Sequence, residues 1–106
     1  MALIDTPMTL TIAAGETASD SATGFDDAEC LGIFAPTLTA AIDVQTSPDA
    51  SGTGWYAMRS GTGYVTLASG DHVTVVDIAF KRLRVVMQGA AGAETTIKVV
   101  KQTSRT

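Results

Sequence analysis

The chain is poor in nearly every residue from which a catalytic or metal site is assembled. Its 106 residues include one cysteine and one histidine, too few for a zinc site or a disulfide framework. Asparagine is absent, so no N-glycosylation sequon exists. The aromatic residues are one tryptophan, two tyrosines and three phenylalanines, few partners for a sugar-stacking platform. No apolar run approaches the roughly 18 residues of a membrane helix, and residues 1–15 lack the basic start of a secretory signal. These absences argue against an enzyme, a bound cofactor or metal, and a membrane partner. A lone thiol suits synthesis and folding in a cytoplasm.

Positive charge is scarce in a particular way. The formal net charge is −4 and the isoelectric point is near 4.6, which argues against a nucleic-acid partner held by phosphate neutralisation. Residues 1–54 carry eight acidic groups and no basic one, whereas residues 55–106 carry three acidic groups and all seven basic ones. Two arrangements follow from this split. Acidic and basic strands pair within one molecule, or acidic and basic patches dock between neighbouring subunits.

What the chain has in quantity is alternation. Met8, Leu10 and Ile12 alternate with threonines, and Leu38, Ala40, Ile42 and Val44 alternate with polar or small residues. Leu83, Val85 and Met87 oppose Arg82, Arg84 and Gln88, while Ile97 and Val99 oppose Thr96 and Lys98. Tyr56 and Met58 oppose Trp55 and Arg59, and Val73 and Val75 oppose His72 and Thr74. This is the period of strands with one buried face. The apolar run 30–34 (CLGIF) reads as a strand buried on both sides. Sixteen threonines and ten glycines favour strands and tight turns, and glycine-rich turn signals separate the runs. Only residues 76–81 offer even one helical turn. About eight short strands at this spacing predict an all-β fold, a single antiparallel β-sandwich of jelly-roll or immunoglobulin-like type. Residues 8–102 form the domain, residues 1–7 a flexible N-terminal arm and residues 103–106 a C-terminal tail.

The chemistry-bearing residues are few. Asp26, Asp27 and Glu29 are a carboxylate cluster without the spacing of a calcium loop, so they read as a solvated acidic loop. His72 has no second histidine and no nucleophile elbow beside it. Cys30 has no basic neighbour in sequence and reads as a buried structural thiol. The stretch 51–54 (SGTG) lacks the lysine and the following helix of a phosphate loop and reads as a hairpin. Adjacent strand residues face opposite sides, so one of Trp55 and Tyr56 is expected in the core and the other near the surface. Val86 and Val100 lie on the faces opposite the core residues. On neighbouring terminal strands they would contribute to a subunit contact, since a Val- and Thr-rich edge invites pairing. Leu3 and Ile4, the apolar pair of the arm, are the other candidate assembly contacts.

The order of segments also carries a resemblance. LTIAAGETASD (10–20), LGIFAP (31–36), LTAAIDVQTSPD (38–49) with the GTGW hairpin (52–55), VDIAF (76–80), LRVV (83–86) and TIKVV (96–100) follow one another. Together they resemble a family of small tailed-phage virion β-sandwich proteins of the capsid decoration or cement type. The resemblance implies a structural, non-enzymatic homo-oligomer, a dimer or trimer. It implies a virion location on the capsid surface, with the major capsid protein as partner and an arm that orders on the shell. The alternatives it leaves are a tail or neck component and a carbohydrate-binding module on the virion.

Overall fold

A computed structural model describes residues 2–49, 54–60, 63–75 and 78–105, with the side chains of 2–4, 60, 104 and 105 outside the description. Ten strands are present: β1 (Ala2–Ile12), β2 (Ala28–Phe34), β3 (Ile42–Ser47), β4 (Tyr56–Ala57), β5 (Arg59–Ser60), β6 (Gly63–Tyr64), β7 (Thr66–Leu67), β8 (His72–Val75), β9 (Arg82–Met87) and β10 (Thr95–Arg105). No helix occurs among the described residues. Of the stretch 76–81, residues 78–81 are not helical and the other two lie outside the description.

The strands form two antiparallel sheets and a separate β5–β6 hairpin. The first has the order β1-β10-β2-β8. The second places β3 between β9 and a path formed by β4 and β7. Its fourth member is the irregular segment 17–22, which runs along the free edge of β9 through bridges Ala18–Val86 and Ala22–Leu83. Taken as eight strand paths in chain order, the first pairs with the eighth, the second with the seventh, the third with the sixth and the fourth with the fifth. That is a long antiparallel hairpin rolled into a sandwich, the jelly roll rather than the immunoglobulin order.

Alternation explains the core. Leu10, Ile12, Ile42, Val44, Leu83, Val85, Met87, Ile97 and Val99 are all buried between the sheets, as their period requires. Registers place like with like: Leu10 faces Ile97 and Val44 faces Val85 across their ladders. Phe25 and Phe80 meet edge to face at 5.3 Å beside this core. The strand expected from Leu38 begins only at Ile42; Leu38 and Ala40 instead pack, partly buried, from a bent approach.

Four features differ from expectation. The expected arm is strand from Ala2 onward, and the expected tail is strand through Arg105, because β1 and β10 pair along their whole lengths, Ala2 opposite Arg105. The run 30–34 is buried on one side only: Leu31 and Ile33 face inward, while Cys30, Gly32 and Phe34 face outward. The edge strand beside β3 is broken by an excursion. Val44 accepts from the Met58 amide at 2.9 Å and donates to the Val65 carbonyl at 3.1 Å, and the Val65 amide bonds Met58 at 2.9 Å. The β5–β6 hairpin therefore leaves the sheet at Met58 and rejoins it at Val65.

Candidate assembly surface

The outer face of the second sheet gathers residues that are remote in sequence. Arg82 and Arg84 point outward from β9, opposite Ser47 and Gln45 of β3. Beyond β3, Trp55 enters β4. Its indole takes the guanidinium of Arg82 at 4.5 Å and that of Arg84 at 4.4 Å from the ring centroid, both within cation–π reach. Arg82 Nε donates to the Asp49 carbonyl at 2.9 Å, and Arg84 Nε to Gln45 Oε1 at 2.8 Å. Arg82 Nη2 is shielded from solvent and has no hydrogen-bond partner among the described residues. Burial, and then the charge of Arg82, lower the basicity of Arg84. Further along the same face Tyr64 overhangs a cleft lined by Asp43, Gln45 and Ala57, with Arg59 at 5.0 Å from its ring.

This corrects the expectation for the aromatic pair: neither Trp55 nor Tyr56 enters the core. Tyr56 is 63% exposed, because the strand that carries it is the edge of the sheet. Trp55 is half-buried by arginines instead of apolar side chains. Sequence alternation gave no sign of that contact, since β9 reaches residue 55 only across β3.

The other candidates are scattered. Val86 lies half-buried on the outer face of the second sheet, between Asp43 of β3 and Ala18. Val100 lies on the outer face of the first sheet, opposite Pro7 and Gly32. Consecutive strands β9 and β10 belong to different sheets, so the two valines are not neighbours and cannot form one contact within a subunit. Leu3 and Ile4 contribute backbone to β1 opposite Ser104 and Thr103; their side chains lie outside the described residues.

On the first sheet's outer face Cys30 is only half-buried, which corrects its reading as a core thiol, and its Sγ donates to Gln102 Oε1 at 2.8 Å. The Phe34 ring covers Gly32, where an added Cβ would come within 2.9 Å of it, and stacks on the His72 ring at 5.0 Å. His72 is exposed, and its Nε2 lies 3.5 Å from the Thr74 hydroxyl. Residues 51–53 of the expected hairpin lie outside the description.

The acidic loop is tied down rather than merely solvated. Asp26 pairs with Lys81, and Asp27 pairs with Lys101, which also donates to the Gly24 carbonyl at 2.8 Å. No three potential metal ligands cluster among the described residues. The Lys101 hydrogen bond holds the Asp27 carboxyl below its ordinary value of 3.8. A depressed carboxylate pKa contributes stability that is complete above the unfolded value and is lost as pH falls through the folded one. Lys101→Met should therefore raise the Asp27 pKa toward the ordinary value, as read by carboxyl-carbon NMR titration. An unchanged titration would mean the pair does not form in solution.

No protein-family model matches the chain, and no curated protein matches it in sequence. A solved structure does match, that of the work described as "Bacillus endospore appendages form a novel family of disulfide-linked pili". The match covers 98% of this chain and 89% of that one, with a TM-score of 0.54 and 11% identity. The chain shares the fold of a pilus subunit. This overturns the resemblance to phage virion proteins, and with it the capsid decoration role, the capsid surface location and the major capsid protein as partner. The physical reason lies in the motifs that carried the resemblance. They were strand-and-turn patterns, which any sandwich of this size needs for folding and which name no partner.

Proposed function

We propose that this chain is a non-catalytic subunit that polymerises with copies of itself into a surface fibre. The observation that carries the reading is the fold match to a pilus subunit over nearly the whole of both chains. The half-buried Trp55–Arg82–Arg84 cluster and the exposed Tyr64 support it, because tryptophan, tyrosine and arginine are the residues enriched where protein interfaces gain their binding energy.

The linkage in this fibre is non-covalent. The matched pili are disulfide-linked, but this chain has a single cysteine. One thiol per subunit joins two subunits and then has no valence left, so disulfides alone cannot extend a chain of such subunits. Concentrated protein imaged by negative stain should show fibres that survive a thiol reductant, and Cys30→Ser should assemble as the parent does. A monomer at every concentration would overturn the fibre reading. Fibres that dissolve in reductant would overturn the non-covalent linkage.

A further inference from the structure

A fibre needs two different surfaces on each subunit that fit one another, because a self-complementary patch closes into a dimer and stops. The sandwich offers such a pair at opposite ends. β3 and β9 are antiparallel, so the end at which Arg82 faces Ser47 is opposite the end at which Met87 faces Ile42. Arg82, Arg84 and Trp55 lie on the outer face of the second sheet, toward the first end. The second is built by the turn 13–16 and the loop 88–94, fastened together by Gly15 N to Ala91 O at 2.7 Å and Ala91 N to Glu16 O at 2.9 Å. Glu16 and Glu94 stand exposed on these two segments.

The ion pairs of the molecule leave both sets of charges unmatched. Within the described residues, the salt bridges are Lys81–Asp26 and Lys101–Asp27. Among the described residues, neither Arg82 nor Arg84 has a carboxylate within ion-pair distance, and neither Glu16 nor Glu94 has a cation. Two guanidinium groups held against one indole repel each other, and one of their nitrogens is shielded from solvent with no acceptor among the described residues. A carboxylate arriving there would supply the missing acceptor and offset the repulsion with charge-assisted, often bidentate, hydrogen bonds.

We propose that the Arg82–Trp55–Arg84 cluster is a carboxylate-binding contact whose occupant is the Glu16 and Glu94 end of a second copy of this chain. This rests on the fibre reading and adds the direction of growth: basic-aromatic face to acidic end, head to tail. The indole, with both guanidinium groups over its ring, is a flat wall that would exclude water from the ion pairs, which strengthens them relative to exposed ones. Each subunit then retains one free face and one free end, so addition does not terminate.

The test uses charge reversal on each surface separately. The face variant is Arg82→Glu with Arg84→Glu; the end variant is Glu16→Arg with Glu94→Arg. All four side chains are exposed or half-buried, and circular dichroism melts should confirm that both variants fold. Sedimentation and electron microscopy should find neither variant elongating alone, with self-affinity reduced on the order of tenfold or more. Mixed in equal amounts, they should associate through heterodimers, because the acidic end of the face variant meets the basic face of the end variant; the two reversed surfaces are also opposite in charge, so growth into alternating fibres supports the contact equally. Emission from Trp55, the chain's only tryptophan, should change as the dimer forms. Fibres from the face variant at the parental concentration, or a mixture that stays monomeric, would overturn this contact while leaving the fibre reading intact. A parent chain that never self-associates would overturn both. Should either variant fail to fold, Arg84→Gln and Glu94→Gln answer the same question through a weaker but measurable rise in critical concentration, and an unchanged value would overturn the contact.

Discussion

Replacing Ile97 by alanine should lower the unfolding free energy by about 2–5 kcal/mol, measured as a shift in the urea midpoint at unchanged slope. Ile97 is fully buried on β10, the strand held between β1 and β2, and its register partner is the equally buried Leu10. Hydrogen-bonded strands on both sides limit how far the backbone can move to fill the space left by the missing atoms, which keeps the cavity cost high. A domain of this size has roughly 5–15 kcal/mol to lose, so the variant approaches the threshold of folding. Val100→Ala is the internal control. Three residues along the same strand, Val100 faces outward and is half-exposed, so its truncation should cost well under half as much. A larger cost at Val100 than at Ile97 would mean that β10 pairs one residue out of this register, since a single-residue slip exchanges the two faces.

Ser19→Ala should cost about 1–3 kcal/mol, although it removes one oxygen and almost no apolar area. Ser19 is buried in the irregular segment beside β9. Its amide donates to the Val85 carbonyl at 2.9 Å, and its Oγ accepts from the buried Val85 amide at 3.0 Å while donating to the Asp20 carbonyl at 2.7 Å. A regular strand would supply that acceptor from its own backbone. Here the segment bends away, and the hydroxyl completes the ladder in its place. Alanine leaves the Val85 N–H buried without an acceptor, a loss that no apolar packing restores. The measurement is paired: a lowered denaturation midpoint together with faster hydrogen exchange at the Val85 amide. A lowered midpoint with unchanged exchange at Val85 would assign the loss elsewhere.

Ser19 also marks where the sequence stops being readable. Alternation identified Leu83, Val85 and Met87 as inward-facing, and they are buried. It could not identify the partner that completes β9, because residues 17–22 have no period of their own. The same limit applies to the Trp55 cluster. Strand parity separates Trp55 from Tyr56 but cannot place either one against β9, which lies nearly thirty residues further along and meets Trp55 only across β3. The valine pair shows the opposite failure. Val86 and Val100 are near in sequence and similar in setting, yet consecutive strands in a jelly roll lie in different sheets. The resemblance to virion proteins failed for a related reason, since turns and alternating strands specify local geometry and carry no information about what the finished surface meets.

By itself the sequence determined the fold class, the inward face of most strands, and that one cysteine and one histidine are present. These are local properties: a two-residue period, turn-forming glycines, and simple counts decide them. The jelly-roll order, the excursion that interrupts the strand beside β3, and the meeting of Arg82, Arg84 and Trp55 were decided only by the tertiary structure. Any strand with one apolar face can pair with any other, so the choice among pairings rests on packing the whole core at once.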